Sequence, residues 1–170
     1  MAFKMSKIIK MSYLSVADLF SLKSSVFSAL NDISDQASKL IFVSCDESYE
    51  LDTDTPAIYL SEIISERLLP LSHVKRASKV EDLVLDLIDS YKSNYLILKR
   101  IHVLFEPSIE IDPLKLLIGL AKHKQLIVFW PGACTPEGLS FSNPGRWDYH
   151  FYSVNDLNSV PIIQLIEHGE

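Results

Sequence analysis

The chain has 170 residues, enough for one domain with a real core, and 48% hydrophobic against 22% charged residues excludes a disordered chain. A net charge of −6 argues against a broad nucleic-acid-binding surface. The longest apolar runs, such as Leu126–Trp130, are far too short to cross a bilayer, and no secretory signal is visible.

From the start of the chain, residues 1–14 interleave Lys4, Lys7 and Lys10 with Met5, Ile8, Ile9, Met11 and Leu14. They read as an N-terminal arm or a short leading helix, and a basic, acid-poor start also leaves an organelle presequence open. Val16, Leu19, Phe20, Phe27, Leu30 and Ile33 then recur at helical spacing, which predicts an amphipathic helix over 15–36. Leu40–Val43 suits a buried strand, and an acidic stretch follows with Asp46, Glu47, Glu50, Asp52 and Asp54. A second strand is expected at Ala57–Leu60, leading into a helix capped by Ser61 and ending near Pro70. Apolar residues at 80, 83, 84, 87, 88 and 91 trace one face of the next helix, opposite Glu81, Asp82, Asp86 and Asp89. Tyr95–Leu98 is the third expected strand, and Asp112 before Pro113 marks a helix start. That helix should turn Leu114, Leu117, Ile118 and Ala121 inward. Leu126–Trp130 is the fourth strand, stopped by Pro131 and Gly132. Residues 131–147 are rich in Pro, Gly, Ser and Asn and read as a loop, with closing strands at His150–Val154 and Ile162–Ile166. The alternation predicts a three-layer α/β domain, with a mainly parallel sheet of about five strands and helices on both faces.

The five glycines (Gly119, Gly132, Gly138, Gly145, Gly169) all lie in the last third of the chain. A Walker A loop needs glycines so that backbone N–H groups can wrap the phosphates, and the first strand runs instead into Ser44-Cys45-Asp46-Glu47. The same shortage removes a dinucleotide-binding G-x-G-x-x-G turn. A Walker B strand ends in an acid that holds magnesium, whereas Tyr95–Leu98 runs into Lys99 and Arg100.

Three segments carry a family resemblance: Leu96-Ile97-Leu98-Lys99-Arg100-Ile101-His102-Val103-Leu104-Phe105, then Ile111-Asp112-Pro113-Leu114, then Leu126-Ile127-Val128-Phe129-Trp130-Pro131-Gly132. Together they resemble BrxF, the small P-loop-type family of type 3 BREX phage-defence systems. The match lies in an apolar "LF" segment, a D-P-L helix start and a strand ending in W-P-G. Coverage is residues 38–166, concentrated in 95–145. The resemblance implies a P-loop NTPase-like (AAA+/ASCE-like) core. It also implies a place in a prokaryotic defence operon, with a large AAA+ ATPase and other BREX-type proteins as partners. Lys99 stands where the family has an acid and the phosphate loop is missing, so none of the family's nucleotide-binding residues carries over. The implied role is a pseudo-NTPase accessory subunit without a cofactor, with ATP or GTP plus magnesium as the alternative and a nucleic-acid module as a weaker one.

Other constellations point to binding. Lys99, Arg100, Lys122 and Lys124, with His123 beside them, sit near strand and helix ends, and form a candidate anion, phosphate or nucleic-acid contact. Ordinary solvated ends of strand and helix are the simpler explanation, since the dipole favours lysines at helix C-termini anyway. Trp130, Phe141, Trp147 and Tyr149, with Tyr152, give an aromatic edge that could serve a protein partner or a homo-oligomer, or close the core. The five histidines lack metal-ligand spacing, and the acids at 46–54 lack the pattern of a calcium loop. Cys134 after the fourth strand, with His150 as a base, is a candidate nucleophile, although no cysteine-enzyme signature surrounds it. Two unpaired-looking cysteines, Cys45 and Cys134, suit a reducing cytoplasm.

Overall fold

In the computed structural model of the chain, residues 3–5, 11–15, 39–44, 57–157, 160 and 162–166 are described. The helix expected over 15–36 lies outside them, except for Ser15, and so do the acidic stretch 46–54 and Cys45. Strands β1 (Phe3–Met5), β2 (Met11–Ser15), β3 (Leu40–Ser44), β4 (Ala57–Tyr59), β5 (Tyr95–Lys99), β6 (Gln125–Phe129) and β10 (Ile162–Ile166) form one sheet in the order β1-β2-β10-β3-β6-β5-β4. From β4 through β5, β6, β3 and β10 to β2 every neighbouring pair is parallel, and only β1 runs antiparallel to its neighbour. The sheet is therefore wider than the five strands expected, because parts of residues 1–14 pair as strands at its edge. Their apolar–lysine alternation suits a strand as well as an arm.

Among the described residues, helices α1 (Leu60–Leu68), α2 (His73–Asp89) and α3 (Pro113–Leu120) sit between strands of the main sheet. In a strand, alternate side chains take opposite faces. One face of the central strands presents Leu40, Phe42, Ile58, Leu96, Leu98, Leu126 and Val128, and these pack in one core with Ile64 of α1, Val80, Val84 and Ile88 of α2, and Leu117 and Leu120 of α3. The described helices thus share one face of the sheet. The opposite face carries Ile41, Val43, Ile97, Ile127 and Phe129, all buried, and, at the end of β5, Lys99.

Helix α2 begins seven residues before the apolar periodicity that predicts it, because its first turns carry only Val74 and Ala77 as apolar residues. Local chemistry sets that start. Ser72 accepts a hydrogen bond from Lys75 N at 3.4 Å, and the Arg76 guanidinium donates to the carbonyls of Leu68, Leu69 and Leu71 at 2.9–3.1 Å, binding the end of α1 to the start of α2. Helix α3 starts as expected: the Asp112 carboxylate accepts from Leu114 N at 3.1 Å and Pro113 takes the first turn.

Residues 131–147 hold more than a loop. β7 (Ala133–Thr135), β8 (Gly138–Phe141) and β9 (His150–Ser153) form a second, antiparallel sheet, so the strand expected at His150 closes this small sheet and not the main one. The short helix α4 (Val154–Leu157) follows. Pro136 and Glu137 make the turn between β7 and β8, and glycine is needed beside it: a Cβ at Gly138 would stand 2.0 Å from the Tyr152 carbonyl oxygen.

Candidate functional site at the carboxyl edge of the sheet

In an open parallel sheet, ligands bind beyond the carboxyl ends of the strands, where the chain reverses its strand order. That place here is bounded by Ser44 at the end of β3, Phe129 and Trp130 at the end of β6, and Lys99 and Arg100 at the end of β5. Lys99 is 1% exposed, and its ammonium lies 4.7 Å from the centroid of the Phe129 ring, a cation–π contact within the buried second face. A side chain so placed is not a surface cation.

Arg100 turns the chain sharply, with φ 52° and ψ 56° in the left-handed region. Two contacts hold that turn. The Arg100 carbonyl accepts from Ser61 N at 2.9 Å and from the Ser61 hydroxyl, while that hydroxyl accepts from Val103 N at 2.9 Å. The Arg100 guanidinium donates to the Glu62 carboxylate at 2.8 Å, with both side chains about half exposed. Its charge is thereby matched by an acid on α1.

The four basic candidates do not converge. Strands β5 and β6 are parallel, with Tyr95 opposite Gln125 and Leu98 opposite Val128. Lys99 and Arg100 therefore lie at the carboxyl rim, and Lys122 and Lys124 at the amino rim, about 15 Å away at the usual strand rise. Lys124 donates to the carbonyls of Ile88 and Tyr91, closing the end of α2. Lys39, Lys122, His123 and Lys124 do share a cleft of about 410 Å³ at the amino rim with Asn94, Ala121 and Gln125, and among the described residues no acid lines it.

The aromatic candidates divide as well. Trp130 is 2% exposed and packs edge-on against Phe42 and Phe105, with centroids 5.3 and 5.4 Å away. Its indole donates to the Ser140 carbonyl at 2.9 Å, which fastens the small sheet to the end of β6. Phe141 stacks on Phe105 at 4.2 Å, and the Tyr152 hydroxyl donates to Asp112 at 2.9 Å. Burial and that carboxylate push the Tyr152 hydroxyl's pKa upward. Trp130, Phe141 and Tyr152 are thus the seam between the two sheets. Tyr149 is half-buried, and Trp147 is the candidate that projects, 69% exposed. Its loop is firmly knit: Ser142, at φ 66°, donates to Asp148 at 2.6 Å, and Arg146 donates to both. Those bonds hold the Asp148 carboxyl below its ordinary pKa.

No family model, curated protein or solved structure matches the chain.

Chemistry at the rim must therefore be judged from its own groups. Cys134 on β7 reaches the Ser44 hydroxyl, and burial pushes its thiol up to about 11. His150 is not its base. β8 runs between the two strands, Cys134 pairs with Leu139, and His150 pairs with Phe141 two residues further along. The His150 ring instead packs on Phe105 and sets Nδ1 3.1 Å from the Asp148 carbonyl oxygen. In a Cys45→Ser background, Cys134 is expected to react with iodoacetamide at pH 8 roughly a hundredfold more slowly than a free cysteine, since about one thiol in a thousand is ionised. Reaction at the free-thiol rate, followed by mass spectrometry, would restore the nucleophile reading. Among the described residues, no group of three or more His, Cys, Asp or Glu side chains converges, and no helix is long and apolar enough to cross a membrane.

Proposed function

We propose that the chain is a non-catalytic accessory subunit of a BREX-like prokaryotic anti-phage defence system, a P-loop-type fold without nucleotide chemistry that acts in the cytoplasm through protein contacts. The observation that carries the reading is Lys99. A magnesium-holding acid would occupy the end of β5, and the residue there is a buried ammonium against Phe129. A cation in that place repels magnesium, and a fully buried side chain cannot reach out to a triphosphate.

Strand order supports the fold half of this reading. Counting β3, β4, β5, β6 and β10 as first to fifth, the parallel strands lie in the order fifth, first, fourth, third, second. This is the order of the P-loop folds, AAA+ proteins among them, in which a strand separates the phosphate-loop strand from the magnesium-acid strand. Trp147, held out on its bonded loop and the most exposed aromatic side chain among the described residues, is available to a protein partner such as a large AAA+ ATPase. A second reading, a phosphate or nucleic-acid contact, draws on the cleft at Lys39, Lys122, His123 and Lys124.

The test is titration of a fluorescent ATP analogue with magnesium, with GTP as competitor. The expected result is no saturable binding up to about 1 mM, a free energy no better than about −4.1 kcal/mol. Saturable, competed binding would overturn the pseudo-NTPase reading. Loss of such binding in Lys122→Glu, but not in Arg100→Glu, would place the ligand at the amino rim.

A further inference from the structure

Helix α2 carries its exposed charges the wrong way round. At 100° per residue, Lys75, Lys79, Asp82, Asp86 and Asp89 fall in one narrow stripe opposite the buried Val80, Val84, Leu87 and Ile88, and all five are exposed. The two bases occupy the first half and the three acids the second. The first turn has no acid and the last turn no base, although the helix dipole favours that placement. Lys75 and Lys79 are like-charged neighbours four residues apart, as are Asp82 and Asp86, which adds to the cost. Among the described residues the ion pairs are Arg100–Glu62 and Arg146–Asp148, and none of the five stripe residues is in them.

The stripe is complementary to its own reverse. An identical helix laid antiparallel, about a two-fold axis crossing between Val80 and Glu81, sets Lys75 opposite the partner's Asp86 and Lys79 opposite the partner's Asp82. Asp89 then meets the start of the partner's helix at Ser72, where free N–H groups and the dipole favour a carboxylate. Every charge of the stripe is matched, and the symmetry doubles each contact. We propose that this stripe is a contact surface between two copies of the chain, paired antiparallel along α2. The stripe holds no apolar residue, so a hydrophobic partner does not fit it. An interface of exposed ion pairs is weak and salt-sensitive. The inference stands apart from the nucleotide reading, since neither the stripe nor its polarity involves the carboxyl rim.

Sedimentation velocity on the full chain tests it. Wild-type protein is expected to form a dimer at about 100 μM in low salt, with its dissociation constant weakening roughly tenfold or more in about 0.5 M NaCl. Lys75→Glu with Lys79→Glu should be monomeric, and so should Asp82→Lys with Asp86→Lys. An equimolar mixture of the two variants should dimerise. Both variants should still give a cooperative circular-dichroism melt, which separates lost association from lost folding. A wild-type chain that stays monomeric in low salt, or a dimer indifferent to salt or to both charge reversals, would overturn the proposal. Should either variant fail to fold, the salt dependence of the wild-type dimer decides alone.

Discussion

Gly138→Ala is expected to be among the most damaging single-methyl changes available in this chain, destabilising it by about 3–5 kcal/mol. Gly138 opens β8 directly after the Pro136-Glu137 turn, with φ +151°, a backbone conformation that L side chains rarely adopt. The added methyl carbon would stand 2.0 Å from the Tyr152 carbonyl oxygen and 2.9 Å from its carbon, and both belong to the backbone of β9. No side-chain rotation relieves such a contact, so β8 and β9 must separate. Their separation strains the Tyr152–Asp112 hydrogen bond that joins the small sheet to the start of α3. Urea unfolding followed by circular dichroism should show the midpoint falling by about 1–3 M, given the usual urea slope for a domain of this size. A midpoint unchanged to within about 0.3 M would mean that β8 and β9 do not pair as described.

Trp130→Ala should cost a comparable amount, about 3–5 kcal/mol. Trp130 follows the last residue of β6 and joins three packing units: Phe42 on β3, Phe105 in the 3-10 turn after β5, and Tyr152 on β9 at a centroid distance of 6.1 Å. Truncation leaves a cavity at this junction, and the Ser140 carbonyl loses the indole N–H. Trp130→Phe keeps most of the packing and loses the hydrogen bond, so it should cost about 1–2 kcal/mol. The protein supplies its own reporter, because its other tryptophan, Trp147, is exposed. In a Trp147→Phe background, emission should be blue-shifted while the seam is intact and move to the red in the same transition that circular dichroism follows. Red-shifted emission from native Trp147→Phe protein would place Trp130 in water and remove the seam.

The parallel sheet was legible in the sequence because strands buried on both faces read as unbroken apolar runs, and 40–43, 95–98 and 126–130 are such runs. Helix α3 was legible because Asp112 and Pro113 act locally, through a cap and a fixed φ. The small sheet was not legible. Its strands are three or four residues long, and the glycines that permit its close approaches at Gly132 and Gly138 carry the same composition as a loop. Opposite placement of the basic residues escaped for a different reason. Sequence puts Lys99 and Lys124 each beside a strand terminus, but whether those termini share a rim depends on strand direction and register, which are properties of the sheet. Trp130 and Trp147 show the same limit. Both are tryptophans near a Pro-Gly turn, and one is core while the other is surface, because Trp130 is directed by β6 and Trp147 by a bonded loop.

The partner of β3 has a consequence during synthesis. Leu40 lies opposite Leu126, and β10 on the other side of β3 begins only at Ile162. At translation rates of about 5–20 residues per second, β3 waits roughly 4–17 s for β6 to be made, while β4, α1, α2 and β5 follow one another closely and can form contacts among themselves. For that interval an apolar strand bound for the centre of the sheet has neither neighbour, so the nascent chain is open to mispairing at β3 and to chaperone capture there until residue 129 has left the ribosome.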